Sequence, residues 1–104
     1  MNRFTFSKSL EDQYVAWRHE LHSHPELAFN ETRTADFIAS KLSGFGIEVT
    51  TGIGLTGVVG TLSRGGSNKS IGLRADMDAL SMDELNTFNH ASRISGRMHA
   101  CGHD

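Results

Sequence analysis

The segment Gly46-Ile47-Glu48-Val49-Thr50-Thr51-Gly52 marks the point where the hydrophobic pattern of the chain changes. Within it, apolar Ile47 and Val49 alternate with polar residues, which is the two-residue period of a strand with one buried face. The chain before this segment follows a helical period, and the chain after it contains further short apolar runs. This order of elements predicts an α/β fold.

Two helices are predicted before this segment. In the first, apolar residues recur at spacings of four, three and four: Leu10, Tyr14, Trp17 and Leu21. This helix is expected from residue 9 to about residue 23, because Pro25 disfavours helical geometry in the residue before it. The second helix is expected from about residue 30 to residue 43, with Asn30 as its N-cap and Gly44 as its stop. Its predicted buried face comprises Ala35, Ile38, Ala39 and Leu42.

The turn between the two helices contains the pair His22 and His24. Two histidines separated by one residue can chelate a metal ion from an extended segment. The alternative places His19 and His22 on the polar face of the first helix and makes the turn a simple connection. We favour the alternative.

Two further strands are predicted at residues 58–62 and 70–75. The residues between them, 64–68, have turn composition, so the two strands are expected to pair as an antiparallel hairpin. The second strand leads into Asp76-Met77-Asp78, and strand ends are where ligands bind in α/β sheets. Residues 81–97 are polar without a clear period. A loop of this length is usually a functional lid or depends on further chain, and we favour the second explanation.

The composition excludes several classes of protein. With 38% hydrophobic and 21% charged residues, the chain matches a soluble globular domain and not a disordered one. Its net charge of -2, with both signs mixed along the chain, provides no basic surface for nucleic acid and no attraction to an anionic membrane. The first residues lack the apolar core of a secretory signal, which predicts a cytoplasmic protein.

The run Arg97-Met98-His99-Ala100-Cys101-Gly102-His103-Asp104 gathers the residues with the clearest chemistry. It contains the only cysteine of the chain, Cys101, which a single glycine separates from His103. Thiolate and imidazole are usual zinc ligands, and Gly102 lets both turn toward one ion. With the two carboxylates at a strand end, they are the parts that a metal hydrolase needs. From these residues alone, Cys101 could also be a buried inert residue or a thiol nucleophile paired with a histidine.

Three motifs cover nearly the whole chain. They are R-H-E-L-H-S-H-P-E-L-A-F-N-E-T at 18–32, G-L-R-A-D-M-D-A-L at 72–80 and G-R-M-H-A-C-G-H-D at 96–104. In this order and spacing they resemble the amidohydrolase branch of the dinuclear zinc metallopeptidases. This group contains hippurate hydrolases, N-acyl-amino-acid amidohydrolases and the plant hydrolases of indoleacetyl-amino acids. The resemblance implies a three-layer, zinc-exopeptidase-like α/β catalytic domain. Residues 1–104 would be its N-terminal part, with two helices and three strands of a mixed sheet.

The resemblance also implies roles for individual residues. Cys101 and His103 match two ligands of a centre that holds two divalent metal ions, zinc or manganese. Asp78 matches the aspartate that orients a ligand and supports the catalytic water. Asp76 and Asp104 are expected to hydrogen-bond beside the ligands. A third ligand at His99 is conceivable from its position, but the family match uses only the cysteine and the histidine of the C-G-H-D run.

The implied activity is metal-dependent hydrolysis of the amide bond in N-acyl amino acids, with a glutamate as general base. That glutamate, further ligands, the rest of the catalytic domain and a lid or dimerisation domain are expected beyond Asp104. Residues 1–104 alone are therefore expected to be inactive, and any homo-oligomer requires the full length. The alternative is a truncated, non-catalytic remnant or interaction module. Ser81 departs from the family pattern, which has a proline that would fix the backbone after Asp78.

Overall fold

The computed structural model describes residues 5–102 and 104. Its regular elements follow in this order: α1 (Lys8–Ser23), α2 (Thr32–Gly44), β1 (Glu48–Ile53) and β2 (Gly57–Thr61). The α/β fold class is confirmed, and both helices lie where the periodicity predicts them. Within the described residues, neither helix has the length and apolar character needed to cross a membrane.

The two strands form an antiparallel hairpin. Val49 pairs with Gly60 and Thr50 with Val59, and the register shifts before the next pair. Gly52 lies at this irregularity with φ 74°, a left-handed angle that glycine adopts without a steric penalty. The extra residue bends the strand where it turns back toward β2.

α2 covers one face of the hairpin and contacts both strands. A Cβ atom placed on Gly60 would lie 3.0 Å from Ile47 Cγ2 and 3.3 Å from Leu42 Cδ1, so glycine permits this close approach of helix and strand. Ile38 and Leu42, from the predicted apolar face, line a cavity together with Ile47 and Val58. The helical period therefore identified the side of α2 that packs on the hairpin.

A carboxylate from the preceding turn caps α2. Glu26 Oε1 accepts hydrogen bonds from Thr34 N at 2.6 Å and Thr34 Oγ1 at 2.7 Å, and Oε2 accepts one from Arg33 N at 3.1 Å. Burial alone raises the pKa of Glu26, but these bonds outweigh it and leave the pKa below its usual value. The prediction that Asn30 caps this helix is wrong, because the turn brings a stronger, charged acceptor to the same backbone groups.

α1 packs on the end of α2 through aromatic side chains. Trp17 lies 5.5 Å from Tyr14 and 6.0 Å from Phe45 between ring centroids, and Lys41 Nζ lies 4.9 Å from the centroid of the Trp17 ring. Tyr14 nevertheless remains 37% exposed. The buried residues of this helix are instead at its C-terminal end, His22 and Ser23.

The third predicted strand, at residues 70–75, is not formed. Ile71 is 86% exposed and Leu73 is 92% exposed. A strand must pair its backbone groups with a neighbour, and β2, the expected neighbour, pairs with β1. The predictions of three strands in a mixed sheet, and of a hairpin between 58–62 and 70–75, are therefore wrong for the described part of the chain. Its one sheet is the antiparallel hairpin.

Candidate metal centre

Backbone bridges bring the carboxylate segment beside the cysteine-containing run. Ala79 N donates to the carbonyl oxygen of Glu26 at 2.8 Å, and Ala79 is 4% exposed. Leu80 and Met98 exchange two backbone hydrogen bonds, of 2.8 and 3.0 Å. Two short bridges therefore join three motifs that are far apart in sequence.

A small cavity of about 20 Å³ lies at this junction. Its lining residues are Asp76, Asp78, His99, Cys101 and Asp104. This volume has room for about one water molecule or ion. All site residues predicted from the sequence except His103 contribute to the lining. His103 lies outside the described residues, so its role as a ligand stays a prediction.

The donors around this cavity fit a divalent cation. Thiolate, imidazole and carboxylate are the groups that zinc and manganese accept. His99 Nε2 is buried without a hydrogen-bond partner among the described groups, and a backbone hydrogen bond links His99 to Asp78. Burial lowers the pKa of His99, which favours the neutral imidazole that a metal ion requires. The described side chains contain no group of three or more with the geometry to hold an ion, so they supply part of a ligand set.

Two residues of α1 form hydrogen bonds with the Asp104 carboxylate. Arg18 Nη1 donates to Asp104 Oδ2 at 3.0 Å, and His22 Nδ1 lies 2.8 Å from the same oxygen. On the other side of the ring, His22 Nε2 lies 3.1 and 3.0 Å from the two carboxylate oxygens of Glu84. Burial alone lowers the pKa of His22, but the hydrogen bonds to Glu84 and Asp104 outweigh it and raise the pKa.

The structure overturns the favoured interpretation of His22. The residue is 4% exposed and does not lie on a solvent-facing surface of α1. It also does not form a chelating pair with His24, whose Nδ1 lies 3.0 Å from the carbonyl oxygen of Glu20. The buried end of α1 therefore faces the candidate site.

Glu84 is a residue that the sequence pattern did not single out. Its side chain is 2% exposed and accepts hydrogen bonds from Ser92 N at 2.6 Å and Asn86 Nδ2 at 2.9 Å, besides its contact with His22. Burial raises the pKa of Glu84, but these hydrogen bonds outweigh it and lower the pKa to about 2. A single glutamate in a polar stretch has no periodic signal, and its only sequence hint is that it lies near the motif at 72–80.

Stacked aromatic rings also join the segment 81–97 to α1. The ring of His90 lies 3.7 Å from that of His19 and 3.9 Å from that of Phe88, and both pairs of planes are within 8° of parallel. Burial and the neighbouring His19 lower the pKa of His90, which favours the neutral ring. The segment 81–97 is thus fixed to α1 within the described chain, and the expectation that it depends on further chain is not supported.

Comparison with known proteins identifies relatives of this chain, although no family model matches it. It is 48% identical over 104 residues to the hippurate hydrolase of Campylobacter jejuni, covering 100% of this chain and 27% of that protein. It is 46% identical over 90 residues to the N-acyl-L-amino acid amidohydrolase of Geobacillus stearothermophilus. This match covers 86% of this chain and 24% of that protein.

A solved structure gives the same answer for the fold. The YXEP protein of Bacillus subtilis, described as a dinuclear metal binding peptidase from the M20 family, superposes with a TM-score of 0.88 at 36% identity. The match covers 94% of this chain and 28% of that one. The chain is therefore a homologue of the amidohydrolases and M20 metallopeptidases, and it spans about a quarter of their length.

Proposed function

We propose that the protein is a metal-dependent hydrolase of the amide bond in N-acyl amino acids, with hippurate-like substrates. The observation that carries the proposal is the small cavity where Asp76, Asp78 and Cys101 meet beside the unpartnered Nε2 of His99. The names of two relatives, hippurate hydrolase and N-acyl-L-amino acid amidohydrolase, support this reaction class.

Each residue of the site has a proposed role. Cys101 and His103 would hold metal, in a centre of two zinc or manganese ions. Such ions, when bound, polarise a carbonyl group and acidify a water molecule. The Asp78 carboxylate, which lines the cavity, accepts a hydrogen bond from the attacking water and orients a ligand. Asp76 and Asp104 hydrogen-bond beside the ligands and keep them in place.

We further propose that these 104 residues alone do not turn over substrate. A zinc centre uses about four ligands per ion, whereas the C-G-H-D run provides two candidates. Binding of an ion to a partial ligand set must also order the segment that carries the ligands. The free energy of this ordering reduces the affinity for the ion. Hydrolysis therefore requires further ligands and a general base from additional chain.

The test is hydrolysis of hippurate by the full-length protein, followed as release of glycine after loading with zinc or manganese. We expect a chelator to abolish activity and added metal to restore it. Replacing Asp78 by Asn lowers kcat by about 100-fold or more, because the neutral amide is a weaker acceptor for the water and lacks the carboxylate charge. Replacing Cys101 by Ser weakens metal binding by about 10-fold or more.

The alternatives predict different results from the same assay. Hydrolysis that resists chelators but requires Cys101 would indicate a thiol enzyme. Metal binding without hydrolysis of any N-acyl amino acid would indicate a non-catalytic protein. The variant His90→Phe is the control, because it keeps the ring stack and lies outside the cavity; it should retain full activity.

A further inference from the structure

The buried imidazole of His22 takes no part in the metal chemistry proposed above. It nevertheless joins three parts of the chain that are far apart in sequence, since it lies on α1, contacts Asp104 in the C-G-H-D run and contacts Glu84 in the segment 81–97. A buried ring with a carboxylate on each side is costly unless both hydrogen bonds are kept. This cost makes the geometry of the three residues mutually dependent.

His22 is the stronger of the two anchors on Asp104. Arg18 also donates to Oδ2, but its side chain is 45% exposed, and water and salt weaken an exposed ion pair. The side chain of His22 is 6% exposed, so its 2.8 Å hydrogen bond acts in a less polar environment. The position of the Asp104 carboxylate is therefore set mainly by His22.

Glu84 in turn fixes the orientation of the His22 ring. Both of its carboxylate oxygens lie within 3.1 Å of Nε2, and Ser92 N holds the same carboxylate at 2.6 Å. A turn of the ring would place a carbon atom against one carboxylate or the other. With Glu84 in place, Nδ1 faces Asp104.

The residue with the anchored carboxylate is also bonded to the cysteine of the site through the backbone. Asp104 N donates to the carbonyl oxygen of Cys101 at 3.1 Å, and both residues line the small cavity. We propose that His22 is a positioning residue, which holds Asp104, and through it Cys101, in a metal-binding geometry, with Glu84 fixing its ring. This inference rests on the proposed function, because it assigns His22 to the metal centre of that site.

The test measures binding of Co²⁺ to the metal-free full-length protein, using absorption from thiolate-to-cobalt charge transfer, which reports ligation by Cys101. We expect His22→Phe to weaken Co²⁺ binding by about 10- to 100-fold and to reduce this absorption. His90→Phe is the matched control, because it makes the same replacement in the neighbouring ring cluster; binding should be unchanged. His22→Gln keeps an N–H for Asp104 and should lose less than His22→Phe.

A double-mutant cycle with Asp104→Ala, which removes the acceptor of the His22 hydrogen bond, separates positioning from a general structural role. If His22 acts through Asp104, adding His22→Phe to Asp104→Ala lowers the affinity by less than about twofold. Losses that simply add would overturn the proposal, as would unchanged Co²⁺ binding in both His22 variants. Urea unfolding identifies which variants fold, and if His22→Phe does not fold, the cycle is run with His22→Gln.

The same measurement distinguishes this inference from the proposed function. Absence of Co²⁺ absorption in the unaltered protein, or absorption that survives Cys101→Ser, would overturn both. Normal Co²⁺ binding that depends on Cys101 but not on His22 would overturn the positioning role alone. Binding that depends on both, without additivity at Asp104, is the result we expect.

Discussion

Residues 62–78 and residues 81–98 are both irregular, but they are held in place very differently. In the first segment Leu73 is 92% exposed, and the ion pair between Arg74 and Asp76 lies at the surface. In the second, Glu84 is buried with hydrogen bonds to three partners, and the ring of Phe88 lies against that of His90. The apolar side chains of Ile71 and Leu73 are therefore exposed, whereas the charged side chain of Glu84 is buried and anchored.

The difference shows what each kind of sequence needs in order to be fixed. An apolar, alternating segment becomes a strand only when another strand satisfies its backbone. A polar segment can be fixed by one carboxylate whose oxygens are all hydrogen-bonded, because an unsatisfied buried charge would be far more costly. We therefore expect the substitution of a polar residue in the anchored segment to lower the free energy of unfolding by more than the substitution of an apolar residue in the exposed segment.

The largest effect is expected from Glu84→Ala. It leaves Ser92 N and His22 Nε2 without their acceptor, which should lower the free energy of unfolding by about 3 kcal/mol. Glu48→Ala is the control, because Glu48 is exposed on β1. Urea denaturation measures both, and equal losses would show that Glu84 does not anchor its segment.

The same carboxylate should give the anchored segment a characteristic dependence on acid. The pKa of Glu84 is lowered from 4.5 to about 2, so the folded state binds this proton less readily than the unfolded state. Its contribution to stability is therefore fully present above pH 4.5 and is lost as the pH falls toward 2. The protection of the Ser92 amide hydrogen against exchange, relative to an unfolded chain at the same pH, should be constant near about pH 5 and should fall only as the pH approaches about 2.

Glu84→Gln is the control for this acid dependence, since the amide does not titrate in this range. In that variant the protection of the Ser92 amide should not fall at the acid end. A transition near pH 4.5 in the unaltered protein would contradict the lowered pKa.

A smaller effect is expected from Phe88→Ala in the same segment. Phe88 is 42% exposed, and its ring lies parallel to that of His90 at 3.9 Å. Losing a stacked ring pair of this kind should cost about 1 kcal/mol of unfolding free energy. Leu85→Ala, at a residue that is 91% exposed, is the control and should cost much less. Thermal or urea unfolding would compare the two, and an equal cost would remove the stack as a stabilising contact.

The smallest effect is expected from Leu73→Ser in the exposed segment. Leu73 is already in contact with water, so the free energy of unfolding of the 104-residue chain should change by less than about 0.5 kcal/mol. Leu42→Ser is the matched control, because Leu42 on α2 packs against the hairpin. This substitution should lower the free energy of unfolding by about 2 kcal/mol or more. Similar losses in the two variants would show that residues 70–75 are packed as a strand after all.

The sequence by itself determined the elements that depend on near neighbours. Helical and strand periods are repeats of three to four and of two residues, so α1, α2, β1 and β2 could be located without any tertiary information. The motifs also selected four of the five residues that line the cavity, although they did not single out His99. The departure at Ser81 proved less informative, since the backbone bonds of Ala79 and Leu80 hold the chain after Asp78 without a proline.

Only the tertiary structure decided which distant groups meet. The partners of His22 lie 62 and 82 residues away, at Glu84 and Asp104, and no local period records such a pair. The capping of α2 by Glu26 likewise depends on how the turn after α1 folds back. The pairing of β2 with β1, and not with residues 70–75, depends on which backbone is available beside it. Hydrogen bonding and strand pairing are properties of proximity in space, and folding creates that proximity.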